Sequence, residues 1–531
     1  MGADDTVDVL VIGAGHNGLT AANYLADAGR SVIVVEAAEA IGGMTASSAL
    51  IPAAPGHVVN SCAADLLFWQ ISPVATELGL AEHGLRTIEV DPSYLYLHPD
   101  GASIAVWRNP AKTAEEIRRF SAKDAQAYLE YARFLDALSD IMLPFMRVNP
   151  ARPEPAGLLP VLRGALKHRR ELRRFGHFLI ASGEETIAQR FEHPVTQALL
   201  YCIAAGANPI GTAGTSVTHM FLSGLHRGGS ARPVGGMQAI PEALASRLRS
   251  VGGRVFTGSP VAEIVVRGGR VRGLLLSDGR ELHAREAVIA SCDPRTALGR
   301  LLPAGSLSAE LTNRVHHIPS SSAGAGAMKS DLALSGRLRL GRHERWRGDR
   351  LDLRKPAALI GTPEGISRGY ARSAAGLVPE PEEIALWPVI VNAVDPGQAP
   401  DGQDSLYLFA TNMPLRPDGG WDNWEKQAAD NMVTQAASFY DGIHELEIGR
   451  WVETPELAAR RTGATNGTAM HVDHLLLSQG PLRPAAGLGG VRTPVDGLLL
   501  GGAGIHPGGG VTGLPGRLAA KTLLRKHRLT R

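Results

Sequence analysis

The chain is poor in cysteine and lysine and has no long apolar run, and each shortage excludes something. Cys62, Cys202 and Cys292 are three in 531 residues, too few and too far apart for a disulfide framework or a CxxC metal pair. They read as buried thiols of a reducing compartment. No stretch approaches the ~18 consecutive apolar residues of a membrane-crossing helix. The N-terminus lacks a charged segment leading into an apolar core, so a cytoplasmic protein is expected. Lys and Arg number 54 against 52 Asp and Glu, a net charge of +2, and no basic run is interleaved with aromatics. Nucleic acid is therefore not an expected partner. Glycine is abundant, with 62 glycines beside 34 prolines. In a chain of ordinary apolar and charged content this implies turns and close backbone approaches. The length allows two or three domains or one large split domain.

Glycine is most informative near the start. Val7 to Ile12 reads as a strand, Gly13-Ala14-Gly15-His16-Asn17-Gly18 as a turn, and the run to Gly29 as a helix. Ser31 to Val35 is a second apolar strand ending on Glu36. This spacing suits a dinucleotide whose pyrophosphate sits on a helix N-terminus. Gly13 permits the tight turn, Gly15 lets the backbone approach the phosphates, and Gly18 lets helix and strand pack closely. Glu36 can accept from both ribose hydroxyls and repels a ribose phosphate, which disfavours NADP. Gly42-Gly43, a second pair soon after Glu36, is more typical of FAD than of NAD sites.

Further along, Tyr94–Leu97 and Ala102–Trp107 flank Asp100-Gly101 as a hairpin. Asn109 to Met146 is helical with a break near Lys123, where Ser121 to Asp124 resembles a capping box. Leu158 to Ile180 reads as one amphipathic helix with Leu158, Leu162, Ala165, Leu172, Phe175 and Leu179 on its apolar face. Six cations from Arg163 to Arg174 oppose the single Glu171, a pattern of either a solvated core-covering helix or a membrane-surface contact. Val234-Gly235-Gly236-Met237 opens a helix to about Arg249, Val261 to His283 is a β-meander, and Ala287–Ala290 is a buried strand. Ala327–Leu334 reads as a strand and Trp424–Phe439 as a helix. Near the end, Gly497–Leu500 runs into a second glycine turn, Gly501 to Gly513, followed by a helix to Lys526.

These motifs, in this order and across essentially the whole chain, resemble the phytoene-dehydrogenase-related FAD oxidoreductases. That superfamily includes carotenoid desaturases and ketolases, retinol saturases and, more distantly, amine oxidases. Gly13 to Leu19, Val234 to Met237 and the very specific Gly502 to Gly513 carry the resemblance. It implies an α/β fold in which a split Rossmann-like FAD-binding domain (1–90, 235–300, 480–531) carries an α+β substrate domain (91–234, 301–479). The implied cofactor contacts are Gly13, Ala14, Gly15, His16, Asn17, Gly18, Glu36, Gly42, Gly43, Met44, Val261, Gly504, Gly510, Val511 and Thr512. Two features depart from the pattern. Met44 stands where desaturases often carry arginine, and Gly502-Ala503-Gly504 lacks the aspartate that commonly holds the ribityl chain, leaving that job to backbone amides.

Hydride transfer asks little of side chains beyond holding the substrate carbon and stabilising developing charge. Lys329 is one catalytic candidate, one of only eight lysines, in a strand resembling that of the amine-oxidase lysine that holds a water near flavin N5. His506, inside the second glycine turn, is the other. His471-Val472-Asp473-His474 lacks metal-site spacing, and no metal is expected. The function expected is dehydrogenation or saturation of a C–C bond in a hydrophobic, isoprenoid-like substrate, with a peripheral membrane contact at 158–180. The alternatives are a flavin amine oxidase, against which stands the lack of aromatics from Gly501 to Pro515, and a non-catalytic scaffold stabilised by FAD. The oligomeric state is not legible.

Overall fold

Apolar runs from the two ends and the middle of the chain meet in one sheet. The computed structural model describes residues 5–206 and 208–526, so the expected segments at 1–4 and 527–531 lie outside it. Strands Arg254–Phe256, Val32–Val35, Thr6–Ile12, Glu281–Ala290 and Leu498–Leu500 lie side by side and parallel. The hairpin Val261–Arg267 with Arg270–Leu276 adds antiparallel to the first half of Glu281–Ala290, completing the expected meander. Val9, Leu10 and Val11 are buried without alternation, as a parallel strand covered on both faces requires. Helices His16–Asp27, Ala239–Ser250 and Leu514–Lys526 pack together beside this sheet. Asn23, buried in the first, donates to the Leu244 carbonyl of the second at 2.9 Å.

A second sheet runs in the order Glu447–Glu453, Ala325–Leu334, Asp404–Pro414, Leu386–Ile390, Ala357–Ile360, Tyr94–Leu97, Ser103–Val106. It is antiparallel except where Ala357–Ile360 pairs with Tyr94–Leu97. Helix Trp421–Ala437 covers one core, built on Met432, Leu332 and Leu408. A helical lobe around Ala122–Met146 covers another, rich in Tyr131, Phe134, Phe175 and Phe178. The whole is an α/β unit built on the first sheet joined to an α+β unit built on the second. Val315 and Ile318, beyond the expected limit at 300, pack in the core of the first sheet, and Leu67 packs in that of the second.

Three local expectations are corrected. Ser121 does cap its helix, accepting from Asp124 N–H at 3.0 Å, but Asp124 does not return the bond. Its carboxylate instead accepts from the N–H groups of Glu192 and His193, both at 3.0 Å, tying two helices together. Leu158 to Ile180 is two helices, Pro155–Lys167 and Leu172–Ile180. Lys167 and the next residue, His168, both reach the Asp140 carboxylate, at 2.7 and 2.9 Å. Neighbours on a continuous helix point in different directions, so the chain must turn there. The apolar face also differs: Phe175 and Phe178 are buried, whereas Leu162 and Leu172 are exposed. Finally, only Cys202 is fully buried; Cys62 and Cys292 are half-buried.

Candidate functional site

Three strands of the first sheet end at one place, and each end hands the chain to a turn. Ile12 leads into Gly13, Ala290 into Ser291 and Leu500 into Gly501. Ser291 locks the middle of this junction, its hydroxyl donating to the carbonyls of Ile12 at 2.8 Å and Gly13 at 3.0 Å. Gly13 has φ +96°, a conformation costly for any residue bearing a Cβ. A Cβ on Gly18 would overlap the Gly13 carbonyl oxygen, and one on Gly516 the Asn17 carbonyl oxygen. The first and last helices therefore meet backbone to backbone, which joins the two glycine turns into one cradle.

Glu36 closes the first turn. Its carboxylate accepts from Ala14 N–H at 2.7 Å and Ala38 N–H at 3.0 Å, fixing the end of the second strand against the turn. Gly42 N–H donates to the Ala14 carbonyl at 3.0 Å, so the second glycine pair docks directly on the first turn, with Met44 in the short helical turn that follows. Ser259 N–H donates to the Glu36 carbonyl at 2.8 Å, bringing the segment that leads into Val261 alongside Glu36.

The second turn is held by a residue that sequence reasoning missed. Arg483 is fully buried and donates to five carbonyls: Met470, Val472, Asp473, Ser478 and Ala503, at 2.9–3.3 Å. Burial pushes its guanidinium down to about 9. Asp473 is likewise structural, accepting from Ser321 N–H at 2.6 Å and Ser322 N–H at 2.8 Å. Gly504 packs on Pro294, Gly510 on Phe68, and Val511 has φ +54°. Thr512 accepts from Leu514 N–H at 3.1 Å, opening the last helix. His506 lies edge-on to Phe145, and its Nε2 faces the Phe145 carbonyl at 3.0 Å. Burial brings its pKa down to about 4, so the ring is neutral and Nε2 must carry the proton it donates. That proton is committed to the protein.

Between the two turns lie buried polar atoms without a protein partner: His16 Nε2, Asn17 Oδ1, His471 Nδ1 and His474 Nε2. His474 Nδ1 lies 2.9 Å from the Gln479 amide, an arrangement that leaves the proton on Nε2. Burial lowers His16 to about 4 and His474 to about 3. Buried polar groups normally find partners. The Nε2–H of His474 and a ring N–H of His16 or His471 fit an acceptor-rich group such as a dinucleotide's diphosphate, whereas Asn17 Oδ1, an acceptor, fits a donor.

Lys329 lies at the other side of the junction. Lys329 and Asp331 share one face of strand Ala325–Leu334, as alternate residues do. The ammonium pairs with the Asp331 carboxylate at 2.9 Å, donates to the Asn60 carbonyl and sits 3.7 Å from the Tyr407 ring centre. Lys329 is 3% exposed, so it is not a strand-end lysine reaching solvent. Glu453, opposite it on the neighbouring strand, holds Arg461, which also donates to the Gly43 carbonyl at 3.2 Å. The cluster therefore abuts the second glycine pair, whereas His506 stands apart on Phe145. Burial raises Asp331 to about 6 and lowers Lys329, so the neutral pair lies closer in free energy than it would in water. Asp331, Glu453 and Tyr407, on strands, and Arg461, on helix Pro455–Thr462, carried no sequence signal of their own; only folding brings them together.

Residues 18–348, more than half of the chain, match the family described as flavin containing amine oxidoreductase. Pyridine nucleotide-disulfide oxidoreductase domain-containing protein 2 of Rattus norvegicus is 29% identical over 98% of this chain and 93% of its own length. Hydroxyneurosporene desaturase of Cereibacter sphaeroides is 28% identical over 97% of each. Among solved structures, an oxidoreductase from Methanosarcina mazei shares the fold with a TM-score of 0.60, at 18% identity, over 98% of this chain and 100% of that one. The chain belongs to the flavin containing amine oxidoreductase family and is an FAD-dependent oxidoreductase.

Proposed function

We propose that this oxidoreductase removes hydrogen from a C–C bond of a hydrophobic substrate, with FAD lying between the two glycine turns. In this reading Gly13 to Gly18, Glu36, Gly42 to Met44, Val261 and Gly504 to Thr512 hold the cofactor, and the discontinuous segments that form the first sheet are its domain. When bound, FAD supplies the hydride acceptor. The observation that carries the reading is the buried ion pair of Lys329 with Asp331, packed on the Tyr407 ring and linked through Glu453 and Arg461 to the second glycine pair. Breaking two C–H bonds on adjacent carbons releases a hydride and a proton. The Asp331 carboxylate, raised toward neutrality by burial, takes that proton. Lys329 holds the carboxylate in place, and Tyr407, Phe409 and Trp387 orient the apolar chain and exclude water. The desaturase relative supports substrates of this class.

Anaerobic incubation with a polyene and isoprenoid panel, beside an amine panel, tests the assignment. Flavin bleaching by the first panel is expected. Bleaching by amines alone would replace the reading with amine oxidation, and no bleaching by either, with photoreduction intact, would favour a scaffold.

The same reading brings the substrate from a membrane surface. Leu159, Leu162 and Leu166 are 46%, 55% and 66% exposed and flank Arg163, Lys167, Arg169 and Arg170, a pattern suited to an anionic bilayer. No helix among the described residues is long and apolar enough to cross a membrane. Reversing Arg169, Arg170, Arg173 and Arg174 should abolish flotation with anionic liposomes at unchanged flavin content; unaltered flotation removes the membrane contact.

A further inference from the structure

The basic helix Pro155–Lys167 does more than present cations to the surface. Gly164 packs so tightly on helix Ala122–Met146 that a Cβ there would overlap the Asp140 carbonyl oxygen. Beside this contact, prolines on both helices, Pro144 and Pro160, wall a cleft. Proline removes a backbone donor from a helix and prevents close packing of the preceding turn. The cleft holds about 430 Å³, within the range of small-molecule sites.

Its chemistry is two-sided. Leu143, Pro144, Pro160 and Gly164 supply apolar lining. Four cations, Arg147, Arg163, Lys167 and Arg227, line it against one carboxylate, Asp140. Asp140 is already engaged by Lys167 and Arg227, each at 2.7 Å, and Arg227 also pairs with Asp136. Burial opposes ionisation of Asp140, but the hydrogen bonds from Lys167, Arg227 and His168 outweigh it and hold the carboxyl well below the usual range. Among the described residues the Arg147 guanidinium donates to the Ile71 carbonyl alone, at 3.0 Å, and the Arg163 guanidinium has no partner. Two guanidinium groups therefore face the cleft without an anion.

Leu143 and Arg147 are shared with a small inner cavity of about 10 Å³ whose other walls include Phe68, Thr512 and Leu514. Thr512 belongs to the second glycine turn, so Leu143 and Arg147 stand between the cleft and that turn.

We infer that the cleft is the binding site for a free amphiphile, an apolar chain carrying a phosphate or carboxylate head, with the head on Arg147 and Arg163 and the chain on Leu143, Pro144 and Pro160. The inference goes beyond the proposed reaction, and its test is of binding alone, so either can fail without the other. The holoprotein would be titrated calorimetrically with dodecyl phosphate below its micelle-forming concentration, with dodecanol and with inorganic phosphate. Dodecyl phosphate should bind at least about tenfold more tightly than either, because head and chain are both recognised. Arg147→Gln with Arg163→Gln should remove about tenfold or more of that affinity at unchanged flavin content, leaving dodecanol unaffected. Should the double variant lose its flavin, the single surface change Arg163→Glu gives the same reading. Equal binding of dodecanol and dodecyl phosphate, or of phosphate and dodecyl phosphate, overturns the inference. So does unchanged affinity in the variants, or binding only to phosphatidylglycerol vesicles and not to the monomeric amphiphile, which would make the anion a bilayer headgroup.

Discussion

The first and last glycine turns both leave carboxyl ends of one parallel sheet, yet different forces hold them. The first is closed by its own neighbourhood: Glu36, 22 residues on, accepts from Ala14, and Gly42 N–H donates to the Ala14 carbonyl. The second has no such local clasp. Its loop is fixed by Arg483, whose guanidinium gathers carbonyls from 470 to 478 and from Ala503. A turn closed by backbone and one nearby acid can be read from a short motif. A turn closed by a buried cation depends on the path of a separate loop, and its motif shows only that a turn exists.

The largest expected effect breaks the first turn. Gly18→Ala places a Cβ onto the Gly13 carbonyl with no flexible neighbour to yield, so the purified protein should lack flavin absorbance. Retention of full flavin would mean that the turn is not part of the cofactor cradle.

Arg483→Met should act on the second turn alone. Five buried carbonyls lose their donor, at a cost of roughly 3–5 kcal/mol in unfolding free energy. Arg483→Lys should rescue little of it, because one ammonium cannot reach carbonyls on several sides. Denaturant unfolding checks both, and equal stability of the three proteins would remove the clasp.

Asp331→Asn lies outside both turns and serves as the contrast. Flavin content should hold, but stability should fall by about 3–5 kcal/mol because the buried Lys329 ammonium loses its counter-ion. Single-turnover reduction should slow by about 10²-fold or more, with its pH dependence lost. A rate unchanged from wild type would leave the Lys329–Asp331 pair a structural ion pair only.

The smallest effect sharpens the comparison between the turns. His16 and His474 ionise at about 4 and about 3 when folded, against 6.5 for an ordinary histidine. The unfolded chain therefore binds more protons below pH 6.5. The stability these rings contribute is complete above that value and falls on acidification until about pH 4 for His16 and about 3 for His474, by at most ~1.4 kcal/mol per pH unit per ring. A diphosphate beside His16 raises its folded pKa, so the acid decline in melting temperature should be shallower with FAD bound than in the flavin-free protein. Parallel declines would place the diphosphate away from His16.

Much of the nucleotide sheet was legible because its elements are made locally. Val7 to Gly18, Ala287 to Ala290 and Gly497 to Gly513 combine buried-strand runs with turn chemistry, and the structure pairs them as adjacent parallel strands. The basic stretch misled because periodicity extends a helix through any polar residue. It could not show that Asp140, on another helix, would claim both Lys167 and His168 and end the helix there. Lys329 was visible as an isolated lysine in an apolar strand, but its partner Asp331 and the crossing strand bearing Glu453 acquired meaning only through register.

By itself the sequence determined a strand–glycine-turn–helix unit, its acid, a second glycine pair and a C-terminal glycine turn, because backbone conformation at glycine and apolar periodicity are local properties. Only the tertiary structure decided that the two turns form one cradle, that Arg483 clasps the second, that Lys329 is paired, and that the basic helix walls a cleft. Each of those depends on burial and on side chains brought together from distant parts of the chain, and a linear pattern carries neither.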